Sequence, residues 1–389
     1  MQNFEYWTPT RIIFGQGVVD KLPETMKRFG KKVLLAYGGG SIKKNGLYDK
    51  VKSLLADWEI YELPGVAPNP KFNPSVVDGV KICKEKGIDV ILAVGGGSVL
   101  DCAKAIAGAA GYDGDPWDVV TGKVPTPSAI PIVDIITMAA TGSEYDAFSV
   151  ISRTETNDKV AYYSELVFPA VSFIDPTYTY SVPKNQMLAG VADAINHVME
   201  QYFNEDPNDL ADGMMEASIK SLIKNLEIAL VNPEDYNARA EIFLNCTLAC
   251  NRIFMLGEAP SGWPMHAIEH ALSAYYDITH GVGLAIITPR WMKHILSDKT
   301  EARIANFGVK IFGLDPATPV RELAEKTIDA TYKLFEKWGI PMCLKDVGID
   351  DSRLGEMAKH VADTAGLDQP FVYAPLKEED ILEIYKASL

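Results

Sequence analysis

Six histidines occur in the chain: His197, His266, His270, His280, His294 and His360. Asp193-Ala-Ile-Asn-His197 sets a carboxylate and an imidazole one helical turn apart, on one face. His266 and His270 repeat that spacing, and His280-Gly281 follows. The residues around the first pair, LAGVADAINHVMEQYF, are otherwise apolar on that side. A carboxylate and an imidazole buried together need compensation, and a divalent cation supplies it. One carboxylate with three or four imidazoles and no thiolate suits Fe(II), Zn(II), Mn(II) or Co(II) rather than a structural cysteine–zinc site. His294 and His360 have no such context and read as ordinary surface residues. His266-Ala-Ile-Glu-His270 also matches H-x-x-E-H, the helix pattern of one metallopeptidase class with Glu269 as base. That reading leaves Asp193 and His197 without a role.

A second chemistry lies in the first half. Gly38-Gly39-Gly40-Ser41 and Gly95-Gly96-Gly97-Ser98 each follow an apolar run and precede a helical pattern. Glycines let the backbone approach a phosphate closely, and a helix start offers N–H groups and the positive end of its dipole. Two such turns at one end of a parallel sheet would line a dinucleotide crevice. Neither is a G-x-G-x-x-G fingerprint or a P-loop. NAD sites commonly place an acidic side chain on the ribose 2′-hydroxyl. Between Tyr37 and Tyr48 there is no Asp or Glu, only Ser41, Lys43 and Lys44 as polar or cationic candidates, which favours NADP(H).

The elements that must position these groups alternate in type. KKVLLAY (31–37), Trp58–Leu63, the start of DVILAVGGGSVLDCAKAIAGAA (89–110) and AIPIVDIIT (129–137) read as buried strands separated by amphipathic helices. Asn73 and Pro74 read as the opening of one such helix. This is the pattern of a parallel sheet covered on both faces. From Lys184 the periodicity turns helical: 184–203, 209–230, 235–255, 262–276, 281–297 and 317–338, with shorter segments to the end. The expected fold class is α/β: a Rossmann-like dinucleotide-binding domain at 1–182, then an all-helical metal-binding domain at 183–389. FEYWTPTRIIFGQG at the start reads as a β-hairpin arm, and the reaction site is expected between the two domains.

Composition narrows the class. The 389 residues carry 37 Lys+Arg against 52 Asp+Glu, a formal charge of −15. Such an acidic chain repels a phosphate backbone or an anionic membrane, so neither nucleic acid nor membrane is an expected partner. No apolar run reaches the length of a membrane span. The first residues, with Glu5 and Arg11, do not read as a signal peptide, so a cytoplasmic location is expected. Five cysteines, an odd and scattered set, do not make a disulfide framework.

Taken in order, these motifs resemble the iron-containing (group III) alcohol dehydrogenase family. The resemblance runs through Gly95–Ser98 with Asp101 and Lys104, Thr137, Thr141-Gly142-Ser143-Glu144, Asp193-x3-His197, His266, His270 and His280-Gly281. His266-x-Ile-Glu-His270-x-Leu-Ser-Ala looks like the branch of NADP-dependent butanol dehydrogenases and broad aldehyde reductases. It implies metal ligands at Asp193, His197, His266 and His280, with His270 a non-ligand histidine near the nicotinamide. It implies cofactor contacts at Gly38, Gly39, Ser41, Asn69, Gly95, Gly96, Gly97, Ser98, Asp101, Thr137, Thr141, Val150, Lys159 and Thr179. His270, as proton relay, and Asp101 are the catalytic candidates. Trp263 is a candidate wall of the substrate pocket. Met138-Ala139-Ala140 departs from the family's common Thr-Ala-Gly. The implied activity is reversible hydride transfer between NADPH and short-chain or broad-range aldehydes, with Fe(II) as the metal and a homodimer as the assembly. Rival expectations are an NAD-dependent polyol or diol dehydrogenase, a metal lyase of the dehydroquinate synthase type and a non-catalytic nucleotide-binding protein.

Overall fold

The computed structural model describes all residues, Met1–Leu389. Eight strands form: β1 Arg11–Phe14, β2 Lys32–Tyr37, β3 Glu59–Leu63, β4 Val90–Gly95, β5 Ile132–Ile136, β6 Phe148–Arg153, β7 Asp158–Tyr163 and β8 Val171–Ile174. The longer helices are α1 Leu47–Leu54, α2 Val77–Lys86, α3 Gly97–Ala109, α4 Lys184–Tyr202, α5 Asp209–Val231, α6 Tyr236–Ala249, α7 Pro264–Tyr276, α8 His280–His294, α9 Val320–Trp338, α10 Leu354–Ala365 and α11 Glu378–Ala387.

Two compact units result, and neither is a single stretch of chain. One contains Trp7–Pro183 with Ile228–Asn251; the other contains Met1–Tyr6, Lys184–Glu227 and Arg252–Leu389. The expected division into 1–182 and 183–389 is consecutive and therefore differs: residues 228–251 belong with the sheet. Their tie is visible in Thr247, whose hydroxyl lies 2.6 Å from Oε1 of Glu144.

In the sheet unit, six strands lie in the order β1-β8-β5-β4-β2-β3, all parallel. Alternation along each strand sends side chains to two separate cores. Leu34, Ala36, Ile91 and Ala93 pack on one face with α3, while Val33, Leu35, Val90, Leu92, Val133 and Ile135 pack on the other. Each large aliphatic side chain so buried contributes about 1.5–3 kcal/mol. The chain runs outward from β2 to β3, then returns to β4 and continues through β5 to β8. The direction of winding thus reverses between β2 and β4, and the turns after these two strands hold both glycine motifs. In open parallel sheets that reversal is where ligands bind.

Three local expectations are corrected. The opening segment is not a hairpin: only Arg11–Phe14 is a strand, and it pairs in parallel with β8 at the sheet edge. Pro9, which has no N–H to give a ladder, sits where the other arm would be. Asn73 opens the helix without capping it through its side chain: its backbone is extended, as at an N-cap, the residues from Pro74 are helical and run into α2, and its amide donates to Glu155 (2.8 Å) rather than accepting from the first turn. The helix read as 235–255 ends at Ala249, and Arg252 takes a left-handed backbone (φ 67) before a short 3-10 turn. The antiparallel pair β6–β7 and the strand β8 are elements that the sequence reading did not include.

The other unit is built of helices around α4 and α8. Its N-terminal residues are held by Gln2, whose backbone N–H donates to the Gly257 carbonyl (2.7 Å). No helix in the chain is long and apolar enough to cross a membrane.

Candidate functional site

The helical unit gathers its polar groups around one atom. Asp193 and His197 share a face of α4, His266 lies in the first turn of α7, and His280 is the first residue of α8. Oδ1 of Asp193 is 3.4 Å from Nε2 of His197, 3.6 Å from Nε2 of His266 and 3.7 Å from Nε2 of His280. The rings of His197 and His266 stack, with centroids 4.7 Å apart. The close approach of α8 to α4 depends on Gly281, where a Cβ would sit 1.9 Å from the carbonyl oxygen of Ala189.

These spacings are too long for hydrogen bonds. The ligand atoms of Asp193, His266 and His280 all lie within 4.8 Å of one another, as those of residues sharing a cation do, and His197 joins them through its 3.4 Å approach to Asp193. Oδ1 of Asp193 and Nε2 of His266 are buried with no protein hydrogen-bond partner, an arrangement that is costly unless a metal completes it. The donor set therefore fits a divalent metal, with Asp193, His197, His266 and His280 as the residues that would hold it.

Electrostatics points the same way. Burial works against ionisation of Asp193, but the imidazoles of His197, His280 and His266 outweigh it and hold the carboxyl well below the usual range. Burial pushes His197 down to about 3, leaving the neutral imidazole that coordination requires. His266 goes the other way: burial is overcome by the carboxylates of Asp193 and Glu200, which lift it to about 9. Those two anions would favour a cation in the proton's place.

His270 lies one turn beyond His266, its ring 5.5 Å from that of His280 and 6.4 Å from that of His266. It is half-buried, whereas Glu269 is fully buried. Glu269 faces Nδ1 of His280 at close range, so its carboxylate serves an imidazole and not a water, unlike the base of a metallopeptidase. Trp263, with a left-handed backbone (φ 53), has its ring 5.2 Å from His266 and 5.9 Å from His197. His294 and His360 lie elsewhere: His294 meets Asp380 (3.1 Å), and His360 lies against Tyr275.

The sheet unit brings most of the expected dinucleotide residues to the carboxyl ends of its strands. Gly38–Ser41 follow β2, Gly96–Ser98 follow β4, Thr137 and Thr141 follow β5, and Thr179 follows β8. The threonine loop rests on the second glycine turn, since a Cβ on Gly97 would fall 2.3 Å from Oγ1 of Thr141. Asn69, Val150 and Lys159 form a second group, in which Lys159 donates to Oδ1 of Asn69 (3.3 Å) and Ser152, next to it on β6, donates its N–H to the Pro70 carbonyl (2.9 Å). Asp101 accepts from the Ser143 hydroxyl (2.7 Å) and the Val150 N–H (2.9 Å). It thereby binds the loop and β6 to α3. Thr179 spends its hydroxyl on the Pro176 carbonyl (2.6 Å). Lys104 is fully buried and donates to Asp146 and to the Phe148 carbonyl, both at 2.7 Å.

At the first glycine turn, Lys43 lies over the rings of Tyr37 and Tyr48, 5.0 and 4.7 Å from their centroids. Glu62, the nearby acid on β3, accepts hydrogen bonds from both tyrosine hydroxyls (2.7 and 2.8 Å) and from Lys52 (3.1 Å).

Sequence reasoning missed Glu200, and it considered Glu269 only as a metallopeptidase base. The available signal was their spacing: Glu200 is three residues beyond His197, and Glu269 three beyond His266, each on the helix face of its ligand.

Comparison with known proteins agrees with this geometry. Residues 9–176 match the family of iron-containing alcohol dehydrogenases, and residues 187–389 match the C-terminal part of that family. NADH-dependent butanol dehydrogenase A of Clostridium acetobutylicum is 43% identical over the full length of both chains. The NADPH-dependent aldehyde reductase YqhD of Escherichia coli is 38% identical over 92% of each. The crystal structure of NADH-dependent butanol dehydrogenase A from Thermotoga maritima superposes with a TM-score of 0.95 at 39% identity, covering 100% of this chain and 99% of that one. The chain belongs to the iron-containing alcohol dehydrogenase family.

Proposed function

We propose that this alcohol dehydrogenase interconverts short-chain or broad-range aldehydes and their alcohols with NADP(H), and that it works with Fe(II). Zn(II), Mn(II) or Co(II) would suit the same donor set. When bound, a divalent cation supplies Lewis acidity toward a carbonyl or hydroxyl oxygen, and a nicotinamide supplies or accepts the hydride. Asp193 and the three imidazoles fix where that oxygen is held. Trp263 walls the pocket beside His197 and His266. His270, half-buried next to His280, relays the proton between the substrate oxygen and solvent.

The observation that carries the cofactor preference is the engagement of Glu62. Glu62 is tied up by Tyr37, Tyr48 and Lys52, while Lys43 is presented on the two tyrosine rings. A 2′-phosphate would meet a cation there. Relatives named as NADH-dependent support the rival cofactor, so the test is direct: kcat/KM for NADPH and NADH with butanal, in wild type and Lys43→Ala. A tenfold or greater preference for NADPH that Lys43→Ala removes is expected. A preference for NADH in the wild type overturns this half of the reading.

We further propose a homodimer. Its support is β1, an unpaired sheet edge flanked by the exposed side chains of Trp7 and Phe14. Light scattering on the purified protein tests it, and a monomer at micromolar concentration overturns it.

A further inference from the structure

The Nε2 atoms of His197, His266 and His280 converge on Asp193, which leaves each ring's Nδ1 facing away. Two of the three find a buried carboxylate there. Oε1 of Glu200 lies 3.1 Å from Nδ1 of His266 and also accepts that residue's backbone N–H (2.8 Å). Oε2 of Glu269 contacts Nδ1 of His280, and the Ser273 hydroxyl donates to its other oxygen. Nδ1 of His197 is buried with no protein partner. Both glutamates are almost fully inaccessible, at 1% and 0%. Room for Glu269 is made by Gly283 on α8, where a Cβ would stand 2.7 Å from Cγ and Oε1 of the glutamate.

We propose that Glu200 and Glu269 are positioning residues of the metal centre, which set its affinity by fixing the Nδ1–H tautomer of His266 and His280 and by adding two negative charges behind them. A carboxylate behind a ligating imidazole orients the ring and raises its basicity. With Asp193 the centre then gathers three carboxylates around a divalent ion. His197, without such a partner, is the weakest of the three nitrogen donors. The inference rests on the reading that Asp193 and its three imidazoles hold the metal.

The experiment is equilibrium binding of Co(II) to chelator-treated full-length protein. Affinity is read by competition with a chromophoric chelator, and coordination by the visible d–d spectrum. Asp193→Ala tests the underlying site: it should abolish the spectrum, and wild-type binding in that variant would overturn the site itself. Glu200→Gln and Glu269→Gln remove the charge while keeping one acceptor oxygen for Nδ1–H, the other oxygen becoming an NH2 donor. Each should bind one Co(II) with the wild-type spectral shape but 10- to 100-fold more weakly. Gly283→Ala, which crowds Glu269 from the neighbouring helix, should weaken binding as Glu269→Gln does, so a glutamine variant that fails to fold still leaves a reading. His197→Ala should cost less affinity than His266→Ala or His280→Ala. Unchanged affinity in the glutamine variants and Gly283→Ala, with Asp193→Ala unable to bind, overturns the proposal and leaves the metal site standing.

Discussion

Asp134 and Ser172 face each other across β5 and β8 in register, with Oδ2 of Asp134 2.6 Å from the Ser172 hydroxyl oxygen. The same hydroxyl is 2.6 Å from the carbonyl oxygen of Glu144. A hydroxyl has one proton to give. If Ser172 donates to the carbonyl, the proton on the other short contact comes from Asp134, which is then a neutral acid. Burial pushes its carboxyl well above the usual range, and its second oxygen has no partner. Asp134→Asn supplies an N–H donor in the same place and should cost less than about 1 kcal/mol. Asp134→Ala removes one of the two partners of the Ser172 hydroxyl, leaving only the Glu144 carbonyl, and should cost about 1–3 kcal/mol. Urea denaturation at pH 6 distinguishes the two.

Glu144 repeats the arrangement. Its Oε1 is 2.6 Å from the Thr247 hydroxyl oxygen, which is 2.9 Å from the Phe243 carbonyl. Burial raises the carboxyl from 4.5 to about 7. Between those values the folded chain holds a proton that the unfolded chain has lost, so stability falls as pH rises through this window. The span corresponds to at most about 3 kcal/mol. Glu144→Gln should flatten the decline between pH 4.5 and 7 and be more stable than wild type at pH 8. Thermal unfolding across that range measures it, and a parallel decline in the variant contradicts the assignment.

Metal uptake should release protons. His266, held up to about 9 by its two carboxylates, is protonated at pH 7.5 and must lose that proton to coordinate. Calorimetric titration of chelator-treated protein with Zn(II), in buffers of different ionisation enthalpy, should show about one proton released per ion at pH 7.5 and fewer at pH 9.5.

The second glycine turn and the threonine loop should fail together. Gly97→Ala drives Cβ into Thr141 and should cost about 1–3 kcal/mol, as overpacking does. It should also weaken binding of NADPH, read by fluorescence titration. Thr141→Gly in the same chain should restore part of the stability without restoring the cofactor contact.

His270→Ala should retain the metal and lose most aldehyde reduction. Full activity after metal reconstitution would show that the proton travels by another route.

Much of this was legible in residue spacing. The i, i+4 pairs at Asp193/His197 and His266/His270 announce helices with a polar stripe in apolar surroundings, and apolar runs ending in glycine announce the central strands. What the spacing could not give was which imidazole nitrogens converge, and so which of the four clustered histidines stands apart; that depends on how α4, α7 and α8 pack. β8 is four residues long, and β6–β7 alternates only weakly, so neither stands out against loop sequence. β1 pairs with a strand remote in sequence, which no local pattern encodes. Asp134 left a trace, as the one acid in the apolar run IPIVDIIT, but its neutral state follows only from the two acceptors that share the Ser172 hydroxyl.

The sheet unit is closed by Ile228–Asn251, and Met1–Tyr6 belong with helices that begin at Lys184. During synthesis the unit around the sheet is therefore incomplete until residue 251 has left the ribosome, and the first residues made wait for partners such as Gly257. Cutting the chain at Pro183 would produce two fragments that each lack part of their own packing. The two halves of this enzyme are folding units in space but not in sequence, and they are expected to be expressed together or not at all.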